Sequence, residues 1–203
     1  MKRWRSVLAC ALAISPALAE RARAEELPFS GVAEVTTNQL SGLSRIRPKD
    51  APQPVTLYFR DDALRVQFKD ASGTPYALIL TKDATIGWIV GQQGDGMPVP
   101  GMRWPLRFDP EQPCAGLGMF ADCQRADTGV HAGRPAVQWR YRLSNASGPG
   151  MTRQGTMWLD RDTGLVLAYR GKTGLQQQQQ WDIQRVEYRP QPDALFQPPE
   201  PTH

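Results

Sequence analysis

Long apolar runs are missing from this 203-residue chain beyond its first residues. A helix that spans a bilayer needs about 20 consecutive apolar residues, so the sequence predicts no transmembrane segment. Histidine is almost absent, with two in the chain, and cysteine is scarce, with three. That leaves little from which to build a zinc or redox centre. Helical periodicity is missing too: no long stretch repeats apolar residues at i, i+3, i+4 and i+7, and prolines interrupt most candidates. Nor is there a G-x-S-x-G elbow. Gly91-Gln92-Gln93-Gly94-Asp95-Gly96 lacks the Lys-Ser/Thr of a phosphate loop and leads into prolines. His131 sits in a Gly- and charge-rich stretch and reads as a solvated loop residue. With no nucleophile–base pair, acid–base pair or metal set, the sequence predicts a protein that is not an enzyme and carries no cofactor.

What the first residues do contain is a leader. Lys2, Arg3 and Arg5 precede the apolar run from Val7 to Ile14, and Ala17-Leu18-Ala19 offers small residues before a cut. This is the three-part pattern of a secretory signal. Residues 1–19 are therefore read as a signal peptide, with an alternative cut after Ala24, and residues 25–203 as one domain. Val7-Leu8-Ala9-Cys10 also looks like a lipoprotein box, but the apolar run continues past Cys10 to Ile14.

The formal net charge of +4 suggests a polyanion partner, but it belongs largely to the leader. Cutting after Ala19 leaves 21 basic and 20 acidic residues, and cutting after Ala24 leaves 19 of each. A near-neutral domain with interspersed charges argues against nucleic-acid binding. Cys114 and Cys123 remain, and in an exported chain a disulfide outweighs a metal or redox pair, since C-x-x-C spacing is absent.

The dominant period is two, that of strands. Val137, Trp139, Tyr141 and Leu143 alternate with Gln138, Arg140 and Arg142. Val55-Leu57-Phe59 and Leu64-Val66-Phe68 form a predicted hairpin about Asp61-Asp62. Further strands are expected at 29–37, 76–80, 85–90, 156–159, 165–170 and 181–188, the last with a bulge near Gln184-Arg185. Asp160-Arg161-Asp162-Thr163-Gly164 starts like a calcium loop but lacks its later ligands, so it reads as a hairpin turn. Turns of helix are expected near 114–125 and at Asp193-Ala194-Leu195-Phe196. Residues 91–115 hold five prolines and four glycines yet carry Met97, Met102, Trp104 and Phe108. An irregular segment of this length is usually functional, so 91–125 is read as a Pro/Gly-rich cover. Aromatics in strands are most often core. The alternative is a groove lined by Trp88, Met102, Trp104, Phe108, Trp139 and Trp158 for a flexible apolar ligand.

Several of these stretches resemble the LolA-like superfamily of periplasmic lipoprotein carriers and receptors. Trp158-Leu159-Asp160-Arg161-Asp162-Thr163-Gly164-Leu165 is similar to its W-L-D-x-x-T-G-L hairpin, and Gly133-Arg134-Pro135-Ala136-Val137-Gln138-Trp139 to the start of its preceding strand. Ala194-Leu195-Phe196-Gln197-Pro198 looks like its closing L-F-x-x-P, and Leu64-Arg65-Val66 like its early arginine-bearing strand. The Cys114–Cys123 loop resembles that of small uncharacterised periplasmic families in the group. The resemblance implies a mainly β fold, a curved antiparallel sheet forming a half-open barrel whose concave face is covered by short helical and loop segments. It also implies a periplasmic protein that binds a lipid, acyl chain or lipoprotein. The alternative function is an envelope interaction module with a packed interior and a protein partner.

Overall fold

The computed structural model describes residues 29–42, 51–81, 86–100 and 104–198. The leader, Cys10 and Met102 lie outside the described residues. Eleven strands follow one another: β1 (Ser30–Thr37), β2 (Gln53–Arg60), β3 (Ala63–Lys69), β4 (Pro75–Leu80), β5 (Ile86–Val90), β6 (Gly96–Pro100), β7 (Asp122–His131), β8 (Arg134–Arg142), β9 (Gln154–Asp160), β10 (Val166–Lys172) and β11 (Gln178–Tyr188). They form one sheet in the order β6-β5-β4-β3-β2-β1-β11-β10-β9-β8-β7. Every pairing is antiparallel. Two meanders thus meet where β1 pairs with β11. The sheet is curved and does not close, so the fold is the half-open barrel that the motifs imply.

Alternation decides what each face buries. Val55, Leu57 and Phe59 on β2 and Leu64, Val66 and Phe68 on β3 are buried, as are Val137, Trp139 and Tyr141 on β8. Register carries this apolar face across the sheet, through Val35 and Ile183 on β1 and β11 and through Tyr169 and Met157 on β10 and β9. These side chains form one core cluster, completed by Phe29, Leu40, Trp104, Leu106 and Phe108. The bulge expected near Gln184 is present: Val35 faces Ile183 while Glu34 faces Arg185, so Gln184 is the extra residue.

The expected cover at 91–125 is not one segment. Gly96–Pro100 is the edge strand β6, because an edge tolerates Pro98 and Pro100 on the side that needs no donor. Residues 104–108 instead form a strip along β10. The Val166 amide donates to the Leu106 carbonyl (2.8 Å) and the Phe108 amide to the Gly164 carbonyl (3.0 Å). Pairing of β10 with β11 begins only at Ala168 and Asp182, so the strip takes the edge that β11 leaves. Its Trp104 meets Trp181 edge-on at 5.5 Å. The Trp139 indole N–H donates to the Pro110 carbonyl at 3.1 Å.

The W-L-D-x-x-T-G-L stretch has a structural explanation here. Asp160 accepts the Asp162 and Thr163 amides (2.9 and 3.3 Å), which closes the β9–β10 turn. Gly164 has φ +73°, and a Cβ there would sit 2.1 Å from the Phe108 carbonyl, so the covering strip requires glycine.

Residues 114–121 are turns rather than helix, and β7 starts at Asp122, with Cys123 opposite Tyr141. Cys114 and Cys123 are joined, with their Cα atoms 5.8 Å apart. Replacing both by serine is expected to lower stability in urea by about 2.5–3 kcal/mol on the chain-entropy account. The far-ultraviolet β signal should survive, because the ring closes only onto the edge strand. Among the described residues no helix is long and apolar enough to cross a membrane.

Candidate functional site

The face opposite the core is lined by the other half of each alternation, and a trough runs along it. Its first part, about 820 Å³, lies over β1 to β5 between Thr36, Thr56 and Gln67, with Tyr76, Ala77 and Val90 at the far end. The second, about 360 Å³, lies over β9 to β11 around Trp158, Ala168 and Asp182. Thr36 lines both, so the two adjoin there. A third part, about 640 Å³, shares Thr156 and Arg170 with the second and is ringed by Arg140, Arg142, Arg170 and Lys172.

The trough exists because small or polar side chains occupy its floor. Ala168 stands between Trp158 on β9 and Asp182 on β11 in register, and its short side chain leaves the space that the indole flanks. A bulge between Arg125 and Asp127 bends β7. The end of β7 stays paired with β8 as far as His131 and Arg134, and from there the His131 ring reaches the open face and stacks on Trp158 (centroids 6.1 Å, 20° between planes). His131 Nε2 lies 2.9 Å from Asp182 Oδ1. His131 is therefore held by two partners, which corrects its reading as a solvated loop residue. Gly129 lies against the same indole, and a Cβ there would make ordinary contact with Trp158 at 3.8 Å.

Arg65 lines the first part of the trough. Burial pulls its pKa below the usual arginine range. It donates to the Leu195 carbonyl at 3.3 Å, while its Nε has no partner among the described residues. Among the described residues no group of three or more His, Cys, Asp or Glu side chains is placed to hold a metal.

The aromatics read from the sequence as one groove are divided by the sheet. Trp104, Phe108 and Trp139 are buried on the core face. Trp88 is in register with Ile79, which is itself opposite Arg65, so Trp88 belongs to the open face. Trp158 shares that face and lines the trough. Asp182 and Thr36 are not singled out by the sequence. Alternation marks both as off the core, but nothing local reveals that His131, 51 residues away in the chain, reaches Asp182.

No family model matches the chain, and a search of curated proteins finds no match. Solved structures do. An uncharacterised conserved protein from Thermus thermophilus matches with a TM-score of 0.50 at 10% identity, over 84% of this chain and 85% of that one. A LolA superfamily protein from Nitrosomonas europaea matches with a TM-score of 0.37 at 9% identity, over 85% and 91% of the two chains. MucB, in the Pseudomonas aeruginosa MucA/MucB complex, matches with a TM-score of 0.40 at 17% identity, over 84% of this chain. The chain spans only 56% of that MucB chain. At these identities the likeness is one of fold.

Proposed function

We propose that this chain is an exported, non-enzymatic periplasmic protein that holds an apolar moiety in the trough of its open face. The moiety is an acyl chain, free or as part of a lipid or lipoprotein. The observation that carries this reading is that the two cavities adjoin at Thr36, beside the contact of His131 with Asp182. Each volume falls in the range of small-molecule sites. Adjoining spaces with Tyr76 and Val90 at one end and the Trp158 ring at the other suit a flexible chain better than a compact ligand. Export is supported by the leader and by the Cys114–Cys123 bond, which persists in oxidising compartments.

The test is to block the neck. Thr36 faces the trough and touches both parts, so Thr36→Trp fills the passage without entering the core. Binding of a fluorescent fatty-acid analogue is expected to fall at least about tenfold, equal to about 1.4 kcal/mol, with an unchanged far-ultraviolet spectrum. Unaltered binding by a folded Thr36→Trp protein would sink the proposal.

One observation favours the second reading, an envelope protein partner. Strand β7 has ten residues and pairs only with β8 among the described residues. Such an edge is a template for an added strand. Under that reading Thr36→Trp leaves function intact.

A further inference from the structure

We propose that the end of the sheet where β8 and β10 finish and β7, β9 and β11 begin is a docking rim for an anionic lipid bilayer. Met119, Phe120 and Leu175 enter the interface, and the cations behind them lie on lipid phosphates. This goes beyond the cargo of the trough, because it names the surface on which the protein sits.

Register defines the rim. Asp122, Arg142, Gln154, Lys172 and Gln178 form one terminal row across β7 to β11. The disulfide loop 114–121, the 143–153 connection and the 173–177 turn all leave from that row. Each presents a large apolar side chain to solvent: Met119 is 93% exposed, Phe120 76%, Leu175 83% and Met151 41%. Isolated exposed hydrophobics need no explanation, but here adjacent loops at one end share the feature. The disulfide loop has not simply failed to pack. Cys114, Leu117 and Ala121 are packed against the core, and the Ala121 amide closes a turn on the Gly118 carbonyl. The disulfide and this turn hold Met119 and Phe120 outward at the tip.

Charge selects the occupant. Behind the tips, Arg142 and Lys172 stand in the terminal row on either side of Gln154, and Arg140 and Arg170 stand in the next but one on either side of Thr156. Paired cations two strands apart are separated by about 10 Å at the backbone, which leaves room for a phosphate over the β9 floor. No side-chain hydrogen bond or ion pair holds any of the four among the described residues. The three connecting segments contain no acidic residue, and Asp122 is the one acid in the terminal row. Apolar tips ahead of an unpaired basic collar are the arrangement of a protein that lies in the interface of an anionic membrane.

The experiment is co-sedimentation of the purified protein with vesicles of phosphatidylcholine containing a quarter phosphatidylglycerol, against vesicles of phosphatidylcholine alone. Binding should be at least about tenfold stronger to the anionic vesicles and should weaken in half-molar salt as screening shortens the reach of the collar. Met119→Ser with Phe120→Ser should lower it about tenfold, and Arg142→Gln and Lys172→Gln about fivefold each. A Phe120→Trp protein should be quenched by brominated lipid. Equal pelleting with both vesicle types, wild-type binding by the serine or glutamine variants, or no vesicle binding at all would overturn the proposal. The last result would leave the rim to a protein partner. The two proposals fail separately: the serine variant should retain the fatty-acid analogue in vesicle-free solution, and Thr36→Trp should lose the analogue while still pelleting with anionic vesicles.

Discussion

Trp104→Ala is expected to destabilise the protein by about 3–5 kcal/mol in urea unfolding, while molecules that remain folded still bind the fatty-acid analogue. Trp104 is 8% exposed and belongs to the core cluster. It anchors the strip that covers β10, and its edge contact with Trp181 is the geometry aromatic pairs favour. Truncation leaves a cavity beside Trp181, which cannot collapse easily because Tyr169 stands opposite Trp181 in the β10–β11 register. Loss transmitted along the strip reaches Leu106 and Phe108, whose backbone bonds to Val166 and Gly164 depend on its course. The trough lies on the other side of the sheet, so the effect belongs to stability. If the variant instead kept wild-type stability and lost the analogue, Trp104 would line the ligand site, as the sequence alone allows, and the open-face trough would be the wrong location.

That contrast shows where the sequence stops being legible. Within a strand, alternation separates the faces cleanly: Val137, Trp139 and Tyr141 are buried, and Gln138 and Arg140 face away, as their spacing predicts. Strand β9 defeats the same reasoning. Met157, Trp158 and Leu159 are all apolar, so period two cannot say that Trp158 opposes its neighbours. Only pairing with Gln138 and Ala168 places it on the open face. Strands β6 and β7 escape the same reading for a different reason. An edge strand need not bury a face, so β7 carries no apolar alternation, and in β6 the prolines argue against a strand that an edge accepts. Arg142 and Lys172 are legible as surface residues. Their placement in one row follows from a register spanning three strands, which no local window contains.

Asp160→Asn is expected to cost about 3 kcal/mol at neutral pH, with the deficit shrinking below about pH 4. Asp160 has no solvent exposure. Arg134 Nε donates to it at 2.8 Å and the Tyr188 hydroxyl at 2.9 Å, in addition to the two turn amides. Burial opposes its ionisation, yet the Arg134 bond, the Asp162 amide and the Tyr188 hydroxyl together hold its carboxyl below the ordinary aspartate range. A folded-state pKa below that of the unfolded chain stabilises the protein above the unfolded value, about 3.9. The contribution fades as pH falls through the folded value. An amide keeps the shape but presents an N–H₂ group to a site built entirely of donors, and leaves Arg134 with the half-exposed Asp162 (2.7 Å) as its one charged partner among the described residues. The Arg134 guanidinium also lies over the Tyr188 ring at 5.2 Å, and Thr163 bonds the Tyr188 hydroxyl at 2.7 Å. The damage should therefore spread to the contact between the β9–β10 turn and the end of β11, and through Gly164 to the covering strip. Urea unfolding of both proteins at pH 7 and pH 3 decides the matter. A gap that narrows at pH 3 identifies the ionised carboxylate as the stabilising group, whereas an equal gap at both values would mean that Asp160 acts through shape alone.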